Sequence, residues 1–351
     1  MLSSSLLLIS LVLTSPQSKP PLSIADPAPA ERESVSLLDS TFSLRIADDF
    51  EAGAMIRAFW AYSDGDLGND LNGFTFHDVD IWAEMELDSF EFRVNFDADS
   101  GTAELEDAYA KWIRSEALAV SFGQFKPRTT FSTAVDPDRL ILNDRTLLGT
   151  MFDSWDLGAE VSGNVLEKLD YFVSVTNGSN GVLDDTLLVA RGEVNFYGEE
   201  VPLQEGNHQV EEQEIIVGAT YYSDTGNDEI GFGADALVYW GRFGAHAEFM
   251  RFGDGLNGTA SLPFLSVSLQ NDTSPISLTG WINIDENFQA AARYQMSDNS
   301  DEVEVITGGV TFYPEDVPLA VTVDASFFSD MNNDGFALQV GLTMGHWRQR
   351  N

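Results

Sequence analysis

Apolar and polar residues alternate along most of this chain. Val321, Val323, Ala325 and Phe327 share one parity, while Thr322, Asp324 and Ser326 hold the other. Phe336, Leu338, Val340, Leu342 and Met344 alternate in the same way with Gln339 and Thr343. Successive side chains of a strand point to opposite faces, so this period predicts strands with one apolar and one polar face. The pattern recurs over 51–63, 74–87, 90–98, 104–113, 118–125, 157–164, 169–177 and 187–197. It continues over 213–222, 232–240, 242–252, 276–284, 287–296, 303–313, 319–328 and 335–347, mostly split by turns bearing Asp, Asn or Gly.

Phe264 to Gln270 would make a seventeenth strand. A barrel with both chain ends on one side needs an even number. Counting turns from both ends agrees only if one segment between Gly198 and Pro275 does not span. The shortest, Phe264–Gln270, is therefore assigned to an external loop. The fold class predicted is all-β: a transmembrane antiparallel β-barrel of about 16 strands, apolar outside and polar toward a water-filled lumen. Val79, Ile81, Ala83, Met85 and Leu87 form one stretch of the outward band. Aromatic residues collect near strand ends, at Trp60 and Tyr62, Phe196 and Tyr197, Tyr221 and Tyr222, Tyr239 and Trp240, Phe312 and Tyr313, Phe327 and Phe328, and Trp347. Such rings favour the headgroup zone of a bilayer. The competing arrangement is a soluble sandwich whose aromatics pack between two sheets.

Other features narrow the class. Leu6–Leu13 followed by Thr14–Ser18 reads as a signal peptide over 1–18, without a basic start. Residues 19–40 read as a flexible periplasmic leader and 41–351 as the barrel. No apolar run is long enough for a membrane helix, but a barrel strand needs only about 9–11 residues. The chain has no cysteine, and 57 acidic against 18 basic residues give a net charge of −39. That charge repels nucleic acid.

The 31 residues 126–156 lack a strand pattern and form the third external loop, long enough to fold inward. They carry Lys126, Arg128, Arg139 and Arg145, four of the 18 basic residues. Alternation also turns Arg57, Arg93, Lys111, Arg191 and Arg293 inward, beside Asp78, Asp80, Glu84, Glu86, Glu91, Asp97, Asp107 and Glu193. For these bases two roles stand open: lining the pore constriction and binding solute, or pairing with carboxylates to brace wall and loop.

Phe90–Phe96, Gly101–Tyr109, Phe122-Gly123-Gln124-Phe125-Lys126-Pro127, Asp136–Leu148, Asp156-Leu157-Gly158 and Val175–Gly178 follow one another in a recognisable order. With Ala290–Tyr294, Val310–Tyr313 and the closing strand, they resemble the phosphate-selective porin O/P family of Gram-negative outer membranes over roughly 42–347. The resemblance implies a sixteen-stranded trimeric channel whose basic residues attract anions such as phosphate. Two features depart from it. The chain closes on His346-Trp347 and a polar tail instead of a terminal Phe, and the inward wall holds many acids.

The expected function is passive diffusion of small hydrophilic solutes or ions, plausibly phosphate or other anions, across the outer membrane. The alternatives are a cation-preferring general porin and a non-conducting acidic receptor or structural barrel. Lipid and lipopolysaccharide are expected partners, with weak Ca²⁺ or Mg²⁺ binding at acidic external loops and no other cofactor. No enzyme is expected. Gly231–Ala236 continues into Leu237-Val238-Tyr239-Trp240 as strand, unlike a dinucleotide fingerprint, and His77, His208, His246 and His346 lack metal-ligand spacing. Asp330–Gly335 starts like a calcium loop but has Gly341 where the closing Glu belongs. Glu199–Glu214 reads as a solvated connection.

Overall fold

The computed structural model describes residues 43–47, 49–178, 186–198, 203–206, 213–226, 228–298, 302–314 and 317–345. The expected signal peptide and leader, His208, His346, Trp347 and the polar tail lie outside the described residues. The chain runs through β1 (Ser43–Ala47), β2 (Phe50–Gly65), β3 (Leu71–Leu87), β4 (Phe90–Asp97), β5 (Glu104–Ser115) and β6 (Leu118–Phe125). Two short helices follow, α1 (Phe131–Ala134) and α2 (Leu147–Met151). Then come β7 (Asp156–Val165), β8 (Leu169–Thr176), β9 (Leu187–Tyr197), β10 (Glu214–Asp224), β11 (Glu229–Trp240) and β12 (Phe243–Phe252). The small hairpin β13 (Gly258–Leu262) and β14 (Leu265–Leu269) precedes β15 (Ile276–Asn283), β16 (Phe288–Met296), β17 (Glu304–Phe312), β18 (Leu319–Ser329) and β19 (Asp334–Met344).

Every neighbour is antiparallel, and β19 pairs back onto β2 from Gly335↔Gly65 to Met344↔Ile56. Sixteen strands, β2–β12 and β15–β19, close the barrel. The parity argument holds: β13 and β14 form a separate two-stranded sheet within a loop. The short β1, not expected from the pattern, pairs with the start of β2.

The outside is apolar. Ile81, Phe96, Phe122, Val175, Phe232, Leu278, Ile306 and Val323 are all exposed, an area far beyond what water-soluble monomers leave uncovered. At the end carrying the short turns, Tyr197 stacks on Trp240 at 6.1 Å and Phe288 meets Phe312 at 4.8 Å. At the long-loop end, Trp60 stacks on Tyr62, Tyr221 meets Phe232, and Phe327 meets Phe336. These make two aromatic girdles. Their expected members are corrected in part: Tyr222, Tyr239, Tyr313 and Phe328 are buried, because adjacent residues on a strand take opposite faces. Among the described residues no helix is long and apolar enough to cross a membrane.

Register slips interrupt the β2–β3, β4–β5, β5–β6 and β9–β10 pairings, and the first two move residues of the cavity wall. The β2–β3 register slips between Arg57 and Ala58, leaving His77 as an extra residue. Phe74 and Phe76 consequently point out, with Phe74 89% exposed, although Asp78 and Asp80 face in. The β4–β5 register slips between Val94 and Phe96, so Glu106 and Asp107 together oppose Asn95.

Candidate functional site

The lumen is shaped by the segment joining β6 to β7. Thr130 caps α1 by accepting from the Thr133 amide, and Thr146 caps α2 by accepting from Gly149. The segment then reaches across the barrel. Thr220 on β10 donates to the Thr129 carbonyl at 2.7 Å, and Ser132 donates to Glu248 on β12 at 2.7 Å. Leu147 N–H donates to Gln295 on β16 at 2.6 Å, and Thr311 on β17 donates to the Ile141 carbonyl at 2.9 Å. Asn143 N–H donates to Asp324 on β18 at 2.8 Å, and Arg57 on β2 donates to the Asn143 carbonyl. A single segment can meet inward residues of strands spread around a closed ring only from within it. Gly341 on β19 makes room for this approach, since a Cβ there would sit 1.8 Å from Asn143 Oδ1.

Two further pieces fill the same half of the interior. Phe264, Leu265, Val267 and Leu269 of the β13–β14 loop pack with Leu147, Leu148, Met250, Phe252 and Phe328 in one apolar cluster. From the short-turn end, residues 203–206 meet the lumen segment: Glu205 N–H donates to the Arg139 carbonyl at 3.0 Å. Arg293 donates to the Glu205 carboxylate at 2.6 Å. The solvated connection expected over Glu199–Glu214 is thus corrected where it is described: Glu205 and Glu214 are buried.

An open cavity of about 580 Å³ remains against β2–β8. The nine candidate bases divide around it. Arg93, Lys111, Lys126, Arg128 and Arg139 line it, whereas Arg57, Arg145, Arg191 and Arg293 do not. Those four are buried and hold the filled half together. Arg145 donates to Asp153 at 2.9 Å and to the Ser132 carbonyl at 2.8 Å. Arg191 bonds both oxygens of Asp235 and also Glu193. Arg293 also donates to the Asp144 carbonyl.

The cavity bases are engaged as well. Arg93 pairs with Glu84 and, at 3.0 Å, with Asp107; Lys111 pairs with Glu91 at 3.2 Å. Lys126 pairs with Asp153 at 2.6 Å and lies 4.5 Å from the Trp155 ring centroid. Arg128 pairs with Glu193 at 2.9 Å over the Phe172 ring, and Arg139 donates to the Leu203 carbonyl at 3.3 Å. Against these five bases the lining holds eight acids: Glu51, Asp80, Glu84, Glu106, Asp107, Asp136, Asp138 and Glu160. Asp80, Asp136 and Glu160 have no ion-pair partner among the described residues. Glu106 escaped the sequence reading because the β4–β5 bulge, invisible to strict alternation, turns it inward beside Asp107. Asn95 shares the inward parity of Arg93 but carries no charge to single it out.

Among the described residues no group of three acidic or histidine side chains could hold a metal ion. The Asp330 loop closes on itself, with Asp330 Oδ1 accepting from the Asn332 and Asn333 amides at 2.7 Å. Those bonds hold the exposed Asp330 carboxyl below its ordinary pKa.

No family model and no curated protein matches the sequence. Among solved structures, the chain is similar to an anion-selective porin from Comamonas acidovorans, with a TM-score of 0.58, 9% identity and coverage of 86% of this chain and 99% of that one. It is similar to OprB of Pseudomonas putida, with a TM-score of 0.58, 9% identity, and 84% and 94% covered. It is also similar to OmpF of Salmonella typhi, solved with daunomycin, at a TM-score of 0.55, 10% identity, and 85% and 98% covered. These likenesses bear out the closed sixteen-strand barrel fold and do not single out the phosphate-selective porin O/P family.

Proposed function

We propose that this chain is an outer-membrane porin that lets small hydrophilic solutes diffuse passively, with a preference for cations. The apolar exterior and paired girdles fit a bilayer, and the off-centre cavity fits a water path. One observation carries the sign of the preference. All five cavity bases are already held by carboxylates or a carbonyl, while eight acids share the lining. A phosphate site needs basic groups that are not already neutralised, whereas an acidic wall favours cations. This reading takes the cation-preferring alternative over the anion channel that the family resemblance implies.

The test is the reversal potential of the reconstituted protein under a KCl gradient, repeated with potassium phosphate. A potential of cation sign in both salts is the expected result, and one of anion sign refutes the preference. A second reading, the non-conducting receptor barrel, is favoured by the filling of the lumen on the β9–β19 side. Absence of ohmic steps in planar bilayers would select it. The homotrimer implied by the resemblance belongs to the proposal too, as does bridging of acidic loops to lipopolysaccharide by divalent ions. Mass measurement of the detergent-extracted protein, corrected for detergent, checks the trimer.

A further inference from the structure

We infer that the inner wall at β3–β5 binds a partly hydrated divalent cation through Asp80, Asn95 and Glu106. This deepens the cation-preferring reading by naming an ion class and a place. Asp80 is only 8% exposed, lines the cavity, and has no hydrogen-bond or ion-pair partner among the described residues. Its cross-strand neighbour in the β3–β4 register is Asp97, another carboxylate on the same face. Like charges directly opposed on a sheet repel, so this pairing calls for a counterion. Asn95 supplies an independent observation. It is 5% exposed, its amide nitrogen donates to Glu106 at 2.6 Å, and its amide oxygen is buried without any donor. A buried acceptor left unmet is costly and points to a positive partner.

The ligand chemistry is all oxygen, from two carboxylates and an amide carbonyl, which suits a hard cation. Since three acidic side chains do not converge on one point, water must complete the shell. Mg²⁺ commonly binds through one or two carboxylates while keeping several waters, and weak Ca²⁺ modules work at roughly 10⁻⁴–10⁻³ M. Weak binding also suits a pore, where an ion must leave as readily as it enters.

The fold provides a reporter. Trp82 lines the same cavity, lies across from Asn95 in the register, and follows Asp80 on one strand face at about 7 Å. Its ring lies over Gly53, where a Cβ would come within 2.4 Å of a ring carbon. Terbium(III), a luminescent stand-in for Ca²⁺, is therefore titrated into the detergent-solubilised protein with excitation through tryptophan. The expected result is saturable emission, displaced by Ca²⁺ or Mg²⁺ and reduced in Trp82→Phe, with Trp155, which lines the same cavity, supplying any remainder. Asp80→Asn and Glu106→Gln should each weaken binding by about tenfold or more, since ligand charge sets affinity. Both variants remove a charge from the inner wall, and heat-modified gel migration confirms that they fold. Emission that is unsaturable, or unchanged in Trp82→Phe or Asp80→Asn, overturns the site. Because this measurement needs no conductance, its failure is distinguishable from failure of the porin reading.

Discussion

Replacing Arg191 with Met should loosen the filled half of the barrel. Arg191 is 3% exposed and grips Asp235 through two bonds of 2.6 and 2.8 Å, Glu193 at 2.6 Å and the Thr220 hydroxyl at 2.9 Å. In the variant Glu193 retains Arg128, which reaches it from the lumen segment at 2.9 Å. Asp235, itself buried, loses the one ion pair it has among the described residues. Breaking a buried pair from one side costs about 3–5 kcal/mol, because the remaining charge is stranded away from water. Removing both charges is far milder, so Arg191→Met with Asp235→Leu should recover most of the loss. The coupling between the two sites should be about 2–3 kcal/mol. Urea unfolding in lipid vesicles, followed by tryptophan fluorescence at an unchanged m-value, reads both numbers. A single-variant cost below about 1 kcal/mol, or strict additivity of the two changes, would refute the claim that this pair helps hold the filled half together.

Four other outcomes are expected. Lys126→Gln with Arg128→Gln should push the reversal potential further toward cations, since a charge about 5 Å from the ion path is worth roughly 0.8 kcal/mol in water. Arg145→Met, off the cavity, should lower stability without that shift, and an equal shift would contradict its placement. Burial raises the Asp153 carboxyl, but Arg145 and then Lys126 outweigh it and hold its pKa below the ordinary value. Its stabilisation is thus complete above the unfolded pKa and lost only as pH falls through the lower folded one. The stability that Asp153 contributes should hold steady down to about pH 4.5, above the ordinary Asp pKa; an Asp153-dependent loss of stability near pH 6 in urea unfolding would contradict this. Gly123→Ala should cost about 1–3 kcal/mol, because Gly123 has φ +141° and a Cβ would fall 2.2 Å from the Ala108 carbonyl oxygen. Unfolding in urea checks this, and a neutral result would mean that β5 yields freely there.

Alternation exposed the sixteen strands, because face assignment in a strand depends only on parity, and counting turns from both chain ends excluded the 264–270 segment. Alternation also located Arg93 and Lys111 on the inner wall, and singled out residues 126–156 as a long connection without strand pattern. It misplaced what lies beyond a bulge. The extra residue at His77 sends Phe74 and Phe76 outward, and the β4–β5 slip turns Glu106 inward.

Charge counting also could not say which bases line the open cavity. Lys126 and Arg145 lie in one connection and share Asp153, yet Lys126 lines the cavity and Arg145 is sealed beneath the segment. The chain's local pattern therefore determined a barrel with a greasy outside and one long connection without strand pattern, because strand periodicity and loop length are properties of neighbouring residues. The tertiary structure decided which half of the interior is filled, which bases are neutralised and where Asp80 and Asn95 stand unmet. Those outcomes depend on register slips and on contacts between residues far apart in the chain, such as Arg57 with Asn143 and Arg293 with Glu205.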